Sequence, residues 1–148
     1  MKKIINRAFV ALAAVVLLMG CQSEGQKALS QIVGEWHYSG VEEGVQEDIW
    51  IAFSQDMTFE LYQKVGEGRY RRYDGTYTVT GSVVSGSYSD KKKWGSDYDA
   101  SFDGEKLVLT AKNGSAEVCT YEKKALSDTD KADAILMTKS VEDGPRFL

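Results

Sequence analysis

The sequence predicts an all-β fold, an eight-stranded antiparallel up-and-down meander closed into a barrel, and three observations carry that prediction. Apolar residues alternate with a period of two from Gly34 for roughly ninety residues. Turn-forming clusters interrupt the alternation at short intervals: Gln55-Asp56-Met57, Gly66-Glu67-Gly68, Thr80-Gly81-Ser82, Asp103-Gly104 and Asn113-Gly114. The links are also short, which makes consecutive strands antiparallel neighbours, whereas a Greek-key sandwich needs longer crossings between sheets. Eight such strands can close, which removes exposed edges and leaves an interior wide enough for side chains or one small ligand. An open or strongly flattened meander is the alternative arrangement of the same strands.

Ahead of the strands stands a leader. Residues 1–20 combine a basic start (Lys2, Lys3, Arg7), an apolar run from Ala8 to Met19 and the small Gly20, which is the pattern of a secretory signal segment. The apolar run is shorter than the roughly 20 residues a spanning helix requires, so removal of the segment is expected. Leu18-Met19-Gly20-Cys21 resembles the bacterial lipobox, with Met19 at a position where it is less common. The resemblance implies that Cys21 is acylated on sulfur and becomes a lipidated N-terminus. Each buried methylene of such chains contributes about 0.8 kcal/mol, so two or three chains hold a domain on a membrane. Cys21 then carries an anchor and no chemistry.

Residues 21–26 read as a polar tether, and Gln26 to Val33 places Ala28, Leu29, Ile32 and Val33 at near-helical spacing, one or two turns that can plug or cap the β domain. The barrel is assigned to residues 27–124. Its strands are expected at Glu35–Gly40, Asp48–Ser54, Thr58–Val65, Arg69–Val79, Val83–Ser89, Ser96–Phe102, Glu105–Lys112 and Ala116–Lys123. Asp103-Gly104 and Asn113-Gly114 favour two-residue hairpin turns, and Tyr73-Asp74-Gly75 suggests a bulge or tight bend.

Alternation assigns an inward face of Trp36, Tyr38, Ile49, Ile51, Phe53, Phe59, Leu61, Tyr77, Val79, Tyr98, Ala100, Phe102, Leu107 and Leu109. Trp50 and Tyr62 fall on the opposite face, as an exposed aromatic pair on adjacent strands. Residues 125–148 form a C-terminal extension. Ser127 and Asp130 have capping-box spacing, residues 132–137 suit either a short helix or an added edge strand, and Val141 to Leu148 reads as a tail.

Gly34-Glu35-Trp36, a Gly-x-Trp opening the first strand just after a helical turn, resembles a lipocalin-type barrel. That resemblance implies a structural closure in which Gly34 and Trp36 seal the base and a basic side chain of the last strand, Lys123 or Lys124, packs over the tryptophan where lipocalins more often have arginine. A second set of segments is similar to the small lipocalin-like lipoproteins of Bacteroidetes-type bacteria: the lipobox, Gly86-Ser87-Tyr88-Ser89-Asp90 leading to Lys93-Trp94-Gly95, Phe102-Asp103-Gly104, and Glu117-Val118-Cys119-Thr120-Tyr121. This likeness implies a calycin-type barrel on a membrane and no common reaction or ligand.

The chain has a formal net charge of -4, and loss of Lys2, Lys3 and Arg7 with the leader takes it to -7. Such an acidic domain lacks the clustered Lys and Arg that neutralise phosphates, so nucleic acid is not an expected partner. Cys119, left alone once Cys21 is acylated, reads as a small buried hydrophobe. The single histidine, His37, points away from Trp36 and cannot by itself build a zinc site. The acidic residues Glu42, Glu43, Glu47 and Asp48 are expected in a loop after the first strand, where lipocalins place a lid. Paired carboxylates can serve glycoside hydrolysis or calcium binding, but adjacent acids in a loop are ordinarily just solvated. Lys91-Lys92-Lys93-Trp94 and Arg69, Arg71 and Arg72 with Tyr70 and Tyr73 mix cations with aromatics and read as turn solubility and edge protection.

These observations leave two functional expectations. The first is a membrane-anchored binding module: a monomer without catalytic residues, cofactor or metal, which takes a small apolar or amphiphilic ligand against Tyr38, Ile51, Leu61, Tyr98 and Leu109. The second is a structural or interaction module with a filled barrel that meets a protein or glycan through Trp50, Tyr62 and Trp94. The expected location is the cell envelope. Gln22 after the cysteine, in place of an aspartate retention signal, favours the outer membrane over the inner.

Overall fold

Successive side chains of a strand point to opposite faces, so eight consecutive strands that each keep one apolar face can bury all of them by curling the sheet onto itself. The computed structural model, which describes residues 24–137 and 148, takes this form. Strands β1 (Gly34–Glu42), β2 (Val45–Phe53), β3 (Thr58–Val65), β4 (Arg71–Thr80), β5 (Val83–Tyr88), β6 (Tyr98–Asp103), β7 (Lys106–Ala111) and β8 (Val118–Lys123) pair antiparallel in sequence order. β8 then returns to β1 through Trp36↔Lys123 and His37↔Glu122. The fold is a closed eight-stranded antiparallel up-and-down barrel, and each strand lies where the alternation placed it, to within three residues at either end. The strand continues through Tyr73-Asp74-Gly75, while Asn113-Gly114 sits in a six-residue connection rather than a two-residue turn, because the Asn113 side chain turns back to accept from the Ser115 N–H.

Closure is uneven. β5 and β6 share only the pairs Val83↔Asp99 and Val84↔Tyr98, and Trp94 fills the gap this leaves. The Trp94 N–H donates to Gly86 O at 3.0 Å. The indole lies so close to the Gly86 backbone that a Cβ there would stand 2.2 Å from Trp94 Cε2. Its ring meets Phe53, Phe59 and Tyr98. Trp94, expected at the surface, is therefore 6% exposed: the splayed seam gives a large ring a place inside the wall.

Ile49, Ile51, Phe53, Phe59, Leu61, Tyr77, Leu107 and Leu109 all point inward as expected and are 2% exposed or less. Tyr73, Val84, Tyr88 and Tyr121 join them, with Tyr38, Val79, Tyr98, Ala100 and Phe102 packed around the margin. The central interior is filled by side chains. Helix α1 (Glu24–Ile32) closes the base: Ile32 is buried in the core, and its carbonyl accepts the Trp36 Nε1–H at 2.7 Å. The helix starts within residues 21–26, so the last part of the segment read as a tether is helical. The signal segment and Cys21 lie outside the described residues.

The largest departure from expectation is on the outer wall. After β8 the chain runs back across β1 to β4 as a strap containing helix α2 (Asp128–Asp133), capped by Ser127, and strand β9 (Ile135–Leu136). Both alternatives for this stretch are present in succession, the helix first and the edge strand after it. β9 pairs in parallel with Arg71 and Arg72, because the start of β4 extends past the end of β5 and leaves that edge open. Trp50 and Tyr62 point outward as expected, yet they are 8% and 3% exposed. The strap packs Leu126 against them together with Tyr70. Leu148, expected in a tail, is buried against the barrel core, whereas residues 141–147 lie outside the described residues. Among the described residues no helix is long and apolar enough to cross a membrane.

Candidate functional site

The end of the barrel opposite α1 is shaped by the link between β1 and β2. Glu43 and Gly44 have φ of +50° and +81°, and positive φ at both central positions is the hairpin geometry whose twist matches the strands. The acidic segment expected as a loop and lid is thus strand and tight turn. Strand alternation then separates its acids. Glu42 and Glu47 share the inner face with Tyr38 and Ile49, while Asp48 points outward and lies 3.0 Å from His37 Nε2. His37 stacks on Trp50 with ring centroids 3.7 Å apart, on the outer wall.

A cavity of about 280 Å³ opens at this mouth. Its lining mixes the acids Glu42, Glu47 and Glu117 with Tyr98, Leu109, Cys119 and Tyr121. Leu148 borders it, held by the Tyr88 hydroxyl, which donates to Leu148 O at 2.8 Å. Glu47 is 8% exposed, and its carboxyl is held above the ordinary range by burial first, then by the charge and hydrogen bond of Glu42. Burial, followed by the Glu117 and Glu47 charges, pushes the Cys119 thiol up to about 11. Burial, then Cys119 and Glu117, pushes Tyr98 up to about 12. Every one of these shifts favours the neutral form, and the cause is shared: a low-dielectric wall with negative groups facing one another.

Of the residues expected to touch a ligand, Tyr98 and Leu109 line the cavity. Tyr38 packs beside it, its ring 5.8 Å from that of Tyr121. Ile51 and Leu61 do not reach it; they are fully buried deeper in the barrel, where Phe53, Phe59 and Tyr77 occupy the space a ligand would need. Sequence reasoning weighs Glu42 and Glu47 as paired carboxylates but sets them aside as solvated, and it misses Glu117 and Tyr121 as site residues. A signal for Glu47 does exist, since it lies in frame with Ile49 and Ile51 once β2 is extended toward its start.

At the base, Gly34 has φ +137°, and a Cβ there would stand 3.4 Å from Lys123 Cε. Lys123 Nζ lies 5.6 Å from the Trp36 ring centroid, whereas Lys124 lies over Trp50 at 5.7 Å. Strand register decides between the two lysines: Trp36 is directly opposite Lys123.

Of the two expected cation–aromatic groups, the arginine one is tied into the wall, whereas Lys91, Lys92 and Lys93 are exposed. Arg72 bonds Glu60 at 2.9 Å, Arg69 bonds the Asp133 carbonyl at 2.8 Å, and Tyr70 and Tyr73 are buried. A second, polar groove of about 370 Å³ lies outside the barrel over the Thr76, Thr78, Ser85 and Ser87 hydroxyls. Among the described residues no three His, Cys, Asp or Glu side chains are grouped to hold a metal ion. At the mouth, burial and the neighbouring carboxylates favour the neutral thiol of Cys119, a weak nucleophile, and His37 is on the outer wall. No protein-family model, curated protein or solved structure matches the chain.

Proposed function

We propose that the chain is a membrane-anchored, lipocalin-like lipoprotein of the cell envelope that binds a small amphiphilic ligand at the barrel mouth without making or breaking bonds. The observation that carries this reading is the cavity between Glu47 and Tyr98, an open space at one end of an otherwise filled barrel. Its volume of about 280 Å³ corresponds to about nine water-sized atoms at the liquid volume of water, so the ligand is small or inserts only one end. Apolar Leu109 and Tyr121 beside carboxylates suit a molecule with both an apolar and a polar part. Support for the anchor comes from Leu18-Met19-Gly20-Cys21, and Gln22 favours the outer membrane. Support for the lipocalin likeness comes from the capping helix and the Gly34, Trp36 and Lys123 arrangement at the base.

The filled centre favours one further reading, a barrel that acts only as an interaction module. Trp50, Tyr62 and Trp94 are too buried to meet a partner, so this module would use the rim valines Val41, Val45, Val65 and Val118, which are 42–68% exposed.

Native mass spectrometry of protein released from its own host membranes separates the two. A co-purifying small molecule that is lost when Leu109→Trp fills the cavity supports the carrier. A bare protein mass, unchanged after exposure to host extract, sinks it. Metabolic labelling with a fatty acid tests the anchor: label that persists in Cys21→Ser removes Cys21 from that role.

A further inference from the structure

We propose that the ligand of the mouth is a cation, an ammonium-bearing amphiphile whose charge sits among Glu42, Glu47 and Glu117 and whose apolar body lies against Tyr98, Leu109 and Tyr121. This inference rests on the binding reading above and specifies its chemistry. It starts from Glu47, a residue only 8% exposed on the cavity wall. The side chain that hydrogen-bonds its carboxyl is Glu42, itself an acid. Among the described residues none of the three carboxyls forms an ion pair.

Glu47 is buried, while Glu42 and Glu117 are exposed at the rim of the cavity; a buried carboxyl beside other acids is relieved in two ways, by keeping a proton or by receiving a positive charge. The described residues supply no such charge, and the cavity supplies the room for one. An anionic or neutral headgroup would leave the repulsion as it stands. A metal ion fits poorly: calcium and magnesium take about six or more oxygen ligands, and among the described residues no three His, Cys, Asp or Glu side chains are grouped to hold a metal. Aromatic faces attract organic cations, so acids and aromatic rings in one lining complement the two ends of one molecule.

The test uses three probes of nearly equal size: phenethylammonium, 2-phenylethanol and phenylacetate. Each is titrated calorimetrically into the full-length protein in phosphatidylcholine nanodiscs, with empty discs subtracted. The expected result is at least about tenfold tighter binding of the ammonium than of the alcohol, the size of one charge-assisted hydrogen bond, and still weaker binding of phenylacetate. In Glu47→Gln the ammonium preference should fall to near that of the alcohol, and Glu42→Gln should reduce it in part. Near-UV circular dichroism reports whether each variant is folded, and the wild-type comparison among probes decides the matter without either variant. Equal binding of all three probes, or a preference that survives in folded Glu47→Gln, overturns the cation while leaving the pocket in place. Absence of binding by all three overturns both.

Discussion

The indole N–H of Trp50 donates to the main-chain carbonyl of Lys124 at 3.0 Å, and this one bond fastens the C-terminal strap to the outside of the barrel. His37 stacks on the same indole, and Tyr70 meets it edge-on at 5.7 Å. An outward tryptophan has become the floor of a second, smaller core. Trp50→Phe keeps most of the packing and loses the bond, and should lower stability by about 1 kcal/mol. Trp50→Ala should lower it by about 3–5 kcal/mol, as for large aromatic truncations elsewhere. Urea unfolding at pH 7 measures both, and an unchanged midpoint for the alanine variant would mean that the strap does not rest on Trp50.

Glu35 is the second fastening. One carboxylate oxygen accepts the Leu126 N–H at 2.8 Å and the other pairs with Lys131. Removing it should loosen α2 and β9 without opening the barrel. In Glu35→Ala, amide hydrogen exchange at Ile135 and Met137, which donate to Tyr70 O and Arg72 O, should accelerate about tenfold or more. Exchange in β3 should hold at its wild-type rate. Equal acceleration of both regions would show strap and barrel opening as one unit.

Two glycines allow close approaches of different kinds. At Gly86 an added methyl meets the Trp94 ring, and at Gly75 it would stand 2.0 Å from Ser87 O, a main-chain atom. Gly86→Ala should cost about 1–3 kcal/mol by overpacking, and combining it with Trp94→Phe should recover part of that loss relative to Trp94→Phe alone. No side-chain truncation should rescue Gly75→Ala. A double-mutant cycle on thermal midpoints checks the contrast, and simple additivity of Gly86→Ala with Trp94→Phe would break the argument.

Burial and Glu42 hold the Glu47 carboxyl above its ordinary value of 4.5. Between the unfolded-state value and the raised folded one, the native protein binds more protons than the unfolded chain, so stability falls as pH rises through that window. Glu47→Gln is neutral throughout and escapes this loss. It should therefore raise the urea midpoint at pH 7, with the advantage shrinking toward zero as pH falls below 4.5. A variant less stable than wild type at pH 7, with correct near-UV signals, would contradict the assignment.

With its thiol pushed up to about 11 by burial and the neighbouring carboxylates, Cys119 should be about one part in a thousand thiolate at pH 8, against about a quarter for an ordinary cysteine. Iodoacetamide should modify it at least about a hundredfold more slowly in the folded protein than in urea. Mass spectrometry of timed reactions reports the ratio; fast labelling of the native protein would mean that the thiol is neither buried nor surrounded by negative charge.

By itself the sequence determined the strands, their order and the apolar face of each, because those depend on residues a few positions apart. The alternation in Ile49, Ile51 and Phe53, and the turn chemistry at Gly81 and Gly104, act locally and were legible. The inward face came with them, and so did Tyr98 and Leu109 on the cavity wall. Tertiary structure decided what distance in the chain conceals. Trp50 and Tyr62 differ from exposed aromatics only because residues 124–137 fold over them, and Trp50 and Lys124 are 74 positions apart. Whether the barrel is hollow depends on the summed volume of side chains from every strand, and Trp94 entering at the β5–β6 seam helps to fill it. The mouth obeyed the same rule: a tight turn at Glu43-Gly44 drew Glu42 and Glu47 onto the inner face, where closure of the barrel brought them to one cavity with Tyr98 and buried Glu47.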